Sequence, residues 1–167
     1  VYSYLGNTAT VTDAAGNKKI FAMDVFGNLT SVTEGTDVTT YTYDILNHLT
    51  QVSMPRTGAT QTRTFNYKTG TTVGALLLSA TNPETGTDTY TYNTNNLLAT
   101  KTDAKGQTFK YTYDGYNRLT QVSANSAVLR TFIYDSNTLD TTGFSQNTLG
   151  RLAAVQDASQ AYNVQFT

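Results

Sequence analysis

The residues that could carry chemistry in this sequence are few and lie far apart. The chain has 167 residues, a single histidine, His48, and no cysteine. Metal binding and nucleophilic catalysis need several histidine, cysteine or carboxylate groups at one place, and no serine stands in the glycine-flanked pentapeptide of the hydrolase nucleophile. The sequence therefore predicts no catalytic residue, no metal site and no cofactor, and we expect that the protein is not an enzyme.

Acidic residues recur instead at regular intervals, each three positions before a glycine or an asparagine. A calcium loop gathers several oxygen ligands in one loop, whereas these aspartates come one to a segment. Aspartate can accept a hydrogen bond from the backbone two residues on, and glycine and asparagine enter the left-handed region at the lowest cost. Turn formation is the predicted role, with calcium binding as the lesser alternative. The predicted turn residues are Asp24, Gly27, Asp44, Asn47, Asn93, Asn96, Asp114 and Asn117.

These turn residues belong to a segment that is repeated along the chain. Residues 111–123 read YTYDGYNRLTQVS, and residues 41–53 read YTYDILNHLTQVS, which is identical at ten of thirteen positions. Looser copies begin at Phe21, Tyr90 and Phe132. A period of about twenty residues is typical of repeat architectures.

One residue just before each turn, usually a tyrosine, marks the copies. These anchors lie 19 to 25 residues apart and are Tyr4, Met23, Tyr43, Tyr67, Tyr92, Tyr113 and Tyr134. Their spacing predicts about seven repeats in a single region, residues 1–167. The connections at residues 68–75 and 136–148 are expected to be irregular, because the pattern stretches or breaks down there.

Each copy is predicted to form a strand, a turn and a second strand. Tyrosine and threonine alternate before the turn, as in a half-buried strand, and about a fifth of the chain is threonine. Leu119 and Val122 are three positions apart, so they are expected on opposite faces of a regular strand. Equivalent tyrosines of neighbouring repeats are expected to stack as a structural ladder. The ladder residues are Tyr41, Tyr43, Tyr90, Tyr92, Tyr111, Tyr113 and Tyr134.

The predicted fold class is therefore all-β. We expect a repeat array of antiparallel β-hairpins that forms one continuous curved or spiralling sheet, without significant helix. A β-propeller with two repeats in each blade fits the same count. Its blades would need continuous apolar faces, which the expected alternation of Leu119 and Val122 does not provide.

The composition excludes several classes of partner. Lysine and arginine number 11 against 12 aspartates and glutamates, which gives a formal charge of -1 without runs of one sign, so nucleic acid is not an expected partner. The longest aliphatic run, residues 75–78, is far too short to span a membrane. The chain begins at Val1, and we expect any export signal to lie upstream.

The pattern Tyr-x-Tyr-Asp-x-x-Gly/Asn-x-Leu-Thr-x-Val, at this period, resembles the YD repeat of the RHS (rearrangement hot spot) family. The resemblance covers nearly the whole chain and suggests a fragment of the repeat region. It implies a β-sheet ribbon that spirals into a hollow shell, which in bacterial toxin complexes encloses a toxin. The family's terminal core segment with its autoproteolytic residues and any toxin domain are absent from this sequence, so processing and killing are not carried over.

Three functions follow from these expectations. The first is a scaffold, a wall segment of a secreted or surface bacterial shell around a toxin or other cargo. The second is a self-assembling extracellular tube or filament, in which identical chains meet edge to edge through open sheet edges. The third is a carbohydrate-binding or adhesion surface that uses the tyrosine ladder to bind glycans. In all three, the nearest partners are neighbouring repeats of the same chain or of identical chains.

Overall fold

The computed structural model describes residues 1–56, 58–70, 76–140, 143, 147–159 and 163–165. These residues form fifteen β-strands and no helix. The strands lie in a single sheet in the order in which they occur in the chain, from β1 to β15. The all-β prediction of consecutive antiparallel hairpins in one sheet is thereby confirmed. A propeller is excluded because its blades would be separate sheets.

Most strands have four to nine residues. They are β1 (Tyr2–Leu5), β2 (Thr8–Thr12), β3 (Lys18–Met23), β4 (Leu29–Glu34), β5 (Asp37–Tyr43), β6 (Leu49–Arg56), β7 (Ala59–Tyr67), β8 (Leu77–Asn82), β9 (Gly86–Tyr92), β10 (Leu98–Thr102), β11 (Thr108–Tyr113), β12 (Leu119–Ala124), β13 (Ala127–Tyr134), β14 (Leu152–Asp157) and β15 (Asn163–Gln165). From Met23 onward, each anchor residue predicted from the sequence is the last residue of its strand.

The chain forms two compact units, Val1–Thr87 and Asp88–Thr167, here called unit 1 and unit 2. Within each unit the same arrangement recurs. Because each strand runs antiparallel to the next, successive turns fall alternately at the two ends of the strands. All the turns that follow an anchor residue therefore lie at one end, which we call the anchor end.

From β3 onward, a β-bulge follows the anchor-end turn of each repeat. Tyr113 pairs with Leu119 and Thr112 pairs with Gln121, so Thr120 is an extra residue without a partner of its own. The same shift places one extra residue in β4, β6, β8, β10 and β14. A bulge of this kind resets the alternation of side chains between the two faces.

The bulge corrects the expectation that leucine and valine of the motif lie on opposite faces. Leu119 pairs with Tyr113, and Val122 pairs with Tyr111. Directly opposite residues share a face of the sheet, and the two tyrosines, two positions apart, also share one. Leu119 and Val122 therefore lie on the same face. The expectation was wrong because it counted positions along a regular strand.

One face of each unit, which we call the aromatic face, carries the large apolar side chains. In unit 1 it contains Phe21, Met23, Leu29, Val32, Tyr41, Tyr43, Leu49, Val52, Phe65, Tyr67, Leu77 and Ala80. In unit 2 it contains Tyr90, Tyr92, Leu98, Tyr111, Tyr113, Leu119, Val122, Phe132, Tyr134, Leu152 and Val155. Val32 and Val52 are only 8% and 9% exposed, so contacts between neighbouring side chains bury part of this face even in a single-layered sheet.

The opposite face, which we call the hydroxyl face, is dominated by threonine. Its side chains bond to one another across strands, as between Thr91 and Thr100 at 2.6 Å and between Thr102 and Thr108 at 2.9 Å. A similar pair, Thr81 and Thr87, is 2.9 Å apart in unit 1. Cross-strand hydroxyl pairs of this kind stabilise a sheet without apolar burial, which explains how a chain so rich in threonine folds.

Candidate functional site

The most regular feature of the structure is a five-residue turn that occurs six times in the described part of the chain. At Asp114, carboxylate Oδ1 accepts hydrogen bonds from the backbone N–H groups of Tyr116 and Arg118, both at 2.9 Å. The backbone N–H of Asp114 donates to the carbonyl of Arg118, which closes the turn at 3.0 Å. Turns that begin at Asp13, Asp24, Asp44, Asn93 and Asp103 have the same bonds.

The fourth residue of each turn has a left-handed backbone. Asn47, Asn96 and Asn117 have φ angles of 63°, 59° and 64°, and Gly27 has a φ of 85°. A type I turn followed by one left-handed residue is a common way to connect antiparallel strands. The structure thus places all eight predicted turn residues in this one geometry, either as the first or as the fourth residue.

The fifth residue of the turn was not singled out by the sequence. In four of the six turns its side chain donates to the second carboxylate oxygen, Oδ2, of the aspartate. The donors are Asn17 Nδ2, Asn28 Nδ2, His48 Nδ1 and Arg118 Nε, at distances of 2.6 to 2.9 Å. The lone histidine therefore stands where the sister turns use an amide or a guanidinium group, and its bond to Asp44 serves the turn.

Side chains at the anchor end also connect one turn to the next. Asn28 Nδ2 donates to Asn47 Oδ1 at 2.9 Å in unit 1, and Asn95 Nδ2 donates to Asn117 Oδ1 at 2.7 Å in unit 2. Arg118 replaces the amide with an ion pair to both carboxylate oxygens of Asp135. The turns thus form a hydrogen-bonded row within each unit.

Two further kinds of bond join the strands next to some of the anchor-end turns. The hydroxyl of the bulge residue donates to a backbone carbonyl across the hairpin, as from Thr50 to Thr42 at 3.0 Å and from Thr120 to Thr112 at 3.1 Å. The hydroxyl of the anchor tyrosine donates to the preceding repeat, from Tyr43 to the Leu29 carbonyl at 3.0 Å. Tyr113 bonds in the same way to the Leu98 carbonyl at 2.9 Å.

The predicted ladder tyrosines all lie on the aromatic face, and the contacts that they make are varied. Lys101 Nζ lies 5.9 Å from the ring centroid of Tyr90, and the Arg118 guanidinium lies 4.4 Å from that of Tyr134. The rings of His48 and Tyr67 form a tilted contact with centroids 5.0 Å apart. Stacking of the ladder tyrosines on one another stays a prediction, since the contacts described here run through hydroxyl groups and cations.

Two ion pairs lie beside aromatic residues at a distance from the anchor-end turns. Lys19 pairs with Glu34 and Lys101 pairs with Asp88, each at 2.9 Å. Lys101 occupies the position of the motif valine, opposite Tyr90. Its hydrogen bond to Asp88 raises the pKa of the Lys101 ammonium group, so the cation is held on the aromatic face by its partner.

Hydrogen bonds lower the pKa of several aspartates in and near the turns. The side-chain amide of Asn28 lowers the pKa of Asp24, and that of Asn17 lowers the pKa of Asp13. The Arg118 guanidinium, with help from the backbone N–H of Gly150, lowers the pKa of Asp135 to about 2. These charges are saturated by hydrogen bonds from the chain itself, and the described residues contain no group of three or more His, Cys, Asp or Glu that could hold a metal ion.

Two anchor-end connections depart from the five-residue turn. The backbone N–H of Lys68 donates to the carbonyl of Leu76 at 2.9 Å, and that of Asp135 donates to Arg151 at 3.1 Å. These bonds replace the closing bond of the short turn and lie at the expected irregular connections. Residues 71–75, 141–142 and 144–146, on which part of that expectation falls, lie outside the described residues.

A cavity of about 1000 Å³ lies in unit 1, beside the first of these longer connections. It is next to the turn 44–48 and the end of β7. Its lining residues are Asp44, Ile45, Leu46, His48, Thr50, Gln51, Thr64, Phe65, Asn66, Tyr67, Lys68, Thr69 and Gly70. The sequence did not indicate this cavity, because its lining comes from two repeats that meet only once the strands are paired.

Comparison with known proteins agrees with this geometry. The family model named Teneurin YD-shell matches residues 3–166, which is nearly the whole chain. The chain belongs to the Teneurin YD-shell family. This confirms the resemblance to YD-repeat proteins that the motif indicated. No curated protein matches the sequence.

Solved structures of toxin complexes contain the same fold. The YD-shell chain is similar to part of a Tc holotoxin pore from Photorhabdus luminescens, with a TM-score of 0.70 and 15% identity over 93% of this chain. It is equally similar to part of a TcdB2–TccC3–Cdc42 complex, with a TM-score of 0.70 and 16% identity over 93% of this chain. In both cases it spans 9% of the other chain. Within the described part of the YD-shell chain, no helix is long and apolar enough to cross a membrane.

Proposed function

We propose that this YD-shell chain is a structural wall segment of a larger, secreted or surface-exposed bacterial shell that encloses a toxin or other cargo. The observation that carries the proposal is the way in which each repeat is joined to the next. Backbone pairing, the bond from the anchor tyrosine and the row of turn side chains all act between neighbours. Such a nearest-neighbour architecture can extend as a wall of any length.

The residue roles support a scaffold without catalysis. The carboxylates of the turns, His48 and Arg118 are engaged in closing or linking turns. The family is that of a structural shell. The likeness of the fold to parts of toxin complexes supports the proposal that the shell encloses a cargo. The expected curvature of the sheet and the single repeat region over residues 1–167 are parts of the same proposal.

Isolation of the native protein tests this function. An antibody against the 167-residue chain would capture the native protein from its source for electron microscopy and limited proteolysis. We expect a hollow particle and an enclosed segment that protease cuts only after the shell is unfolded. A native protein no longer than this chain, or an enclosed segment that is cut equally fast before and after unfolding, would contradict the proposal.

Self-assembly through sheet edges is the alternative, and the exposure of β1 favours it. Tyr2, Tyr4 and Leu5 are 70%, 77% and 83% exposed, and an uncovered strand edge can pair with another chain. This alternative predicts a sedimentation coefficient that rises with protein concentration. A sedimentation profile of monomers at every concentration would rule it out in favour of the wall segment.

A glycan-binding tyrosine ladder is the third candidate. It requires rings that are free to stack on sugars, but the hydroxyls of Tyr43 and Tyr113 are bonded to backbone carbonyls and their rings are half-buried. Substitution of Tyr41 and Tyr111 with alanine would test it. Glycan binding lost with folding intact would support the ladder, and unaltered binding to a glycan array would exclude it.

A further inference from the structure

Four large apolar side chains are uncovered at the anchor end of unit 1. Val25 and Phe26 are the second and third residues of the turn after β3, and Ile45 and Leu46 hold the same positions in the turn after β5. All four are between 66% and 98% exposed. Together they leave on the order of several hundred Å² of apolar surface uncovered, and a patch of that size is often an interaction site. We call these four residues the anchor-end row.

The geometry of the turn does not require large apolar residues at these positions. The turns that begin at Asp13 and Asp103 have the same hydrogen bonds but lie at the opposite end of their strands. Their second and third residues are Ala14–Ala15 and Ala104–Lys105. The apolar row is therefore a property of the anchor end of unit 1 and is not a by-product of the turn.

Hydrogen bonds hold the row in place before any partner binds. Asn28 Nδ2 of the first turn donates to Asn47 Oδ1 of the second turn at 2.9 Å. Within each turn, the aspartate carboxylate accepts hydrogen bonds from two backbone N–H groups and from the side chain of the fifth residue. Because the backbone of the row is already ordered, its association with a partner loses little conformational entropy.

The charges beside the row favour a protein partner over a lipid surface. The two turns, residues 24–28 and 44–48, contain the carboxylates of Asp24 and Asp44 and no lysine or arginine. Anionic membrane surfaces attract clusters of basic residues, which are absent from these turns. Both carboxylates are bonded within their own turns, so a protein that covers the row meets no unpaired charge.

The spacing of the row fits a second copy of the chain. Neighbouring anchor-end turns are two strands apart, which is about 9.5 Å in a β-sheet. A second row with the same period stays in step with the first along its whole length. The second copy presents such a row, with the same apolar side chains on the same ordered turns.

We propose that two copies of this chain pair through their anchor-end rows, related by a two-fold axis. The two rows together bury on the order of 1,000 Å², which is near the lower limit for a specific interface, so the dimer is weak, with a Kd in the micromolar range. A two-fold contact closes at two copies, whereas pairing between the sheet edges at β1 and β15 continues into polymers. The dimer does not depend on the wall function, which the native particle tests separately.

The test is sedimentation equilibrium of the 167-residue chain from about 1 μM to about 1 mM. We expect monomers and dimers only. The double variant Phe26→Ser with Ile45→Ser should weaken the dimer at least about 10-fold and unfold at the wild-type temperature, because both side chains are exposed. Tyr116→Ser is the matched control, since it removes an exposed aromatic ring from the third position of an anchor-end turn in unit 2. It should leave the affinity unchanged.

The change of amide NMR shifts on dilution locates the contact. These changes should be concentrated in residues 24–28 and 44–48. Changes at β1 and β15, with species larger than a dimer, would overturn the proposal in favour of pairing between sheet edges. Monomers at every concentration, an unchanged affinity in the double variant, or an equal loss in Tyr116→Ser would also overturn it. Monomers that pellet with phosphatidylcholine vesicles would show that a lipid surface covers the row instead.

Discussion

Arg118 forms a two-point ion pair with Asp135, with Nη1 3.0 Å from Oδ1 and Nη2 2.6 Å from Oδ2. The same guanidinium donates through Nε to Asp114 at 2.6 Å. One side chain thus closes its own turn and fixes the next one. The planar guanidinium allows this, because its donors lie in a rigid fork that matches a carboxylate.

Arg118→Lys should therefore lower the thermal stability although it keeps the charge. An ammonium group is a point charge and cannot reproduce three directed bonds to two carboxylates. Thermal unfolding followed by circular dichroism measures the change, and Lys105→Arg, at an exposed turn position, is the control that should have no effect. An unchanged unfolding temperature in Arg118→Lys would show that a positive charge at this position is enough for full stability, without the directed bonds.

Stability should fall as acid is added below about pH 4. The folded-state pKa of Asp135 is lowered to about 2, and that of Asp24 is lowered by Asn28, whereas an unfolded aspartate titrates near pH 3.9. The unfolded chain thus takes up protons first, so the stabilisation is present above pH 4 and is lost as the pH falls to about 2. Unfolding temperatures between pH 7 and pH 2 should show this decline, and it should be shallower in Asp135→Asn. A profile that is flat over this range would contradict the prediction.

The bulge threonine Thr120 should stabilise the folded chain through its hydroxyl group alone. Thr120→Val keeps the shape of the side chain but removes the donor to the Thr112 carbonyl, so we expect a loss of about 0.5 to 1.5 kcal/mol in the free energy of unfolding. Thr131→Val is the matched control in unit 2, because no described residue is bonded to its hydroxyl. Denaturant unfolding measures both, and equal effects would mean that the bond is unimportant.

Replacing the anchor tyrosines with phenylalanine should lower the free energy of unfolding by different amounts. Tyr43→Phe and Tyr113→Phe each delete a bond to a backbone carbonyl, which predicts a loss of about 0.5 to 1.5 kcal/mol in each. Tyr67→Phe should be close to neutral. A loss in Tyr67→Phe as large as in the other two would place an unrecognised partner at its hydroxyl.

At the left-handed turn position, alanine should destabilise the fold and glycine should not. Asn96 has a φ of 59°, where a side chain with a Cβ atom is strained. Asn96→Ala should therefore cost about 1 to 2 kcal/mol of unfolding free energy, and Asn96→Gly should cost little. If both variants have the same stability, the conformation of this residue does not determine the turn.

The features that a sequence indicates most directly are those set by neighbouring residues. Asp114 and Asn117 determine a turn through their own backbone, so the turn can be inferred from four letters. The bulge at Thr120 could not be inferred in this way, because it depends on pairing with β11, and it reversed the expected direction of Leu119 relative to Val122. The leucine that begins the strand after each of these turns, followed by threonine at Leu29, Leu49 and Leu119, was the available signal.

The candidate site was missed for a related reason. His48 was recognised as the single histidine, but its bond to Asp44 belongs to the turn geometry and its contact with Tyr67 joins two repeats. The lining of the cavity comes from the turn 44–48 and from the end of β7, which are far apart in the chain. Long-range contacts of this kind are visible only once the strands are paired.

The closing bond of the anchor-end turns has a consequence for the engineering of this protein. Lys68 to Leu76 and Asp135 to Arg151 keep the bond that Asp114 makes to Arg118, although many more residues lie between the bonded pair. Strand pairing resumes after both connections, at Tyr67 with Leu77 and at Tyr134 with Leu152. The loop at this end can therefore change in length while the hairpin stays in register, and foreign peptides such as epitopes or protease sites could be grafted there for display.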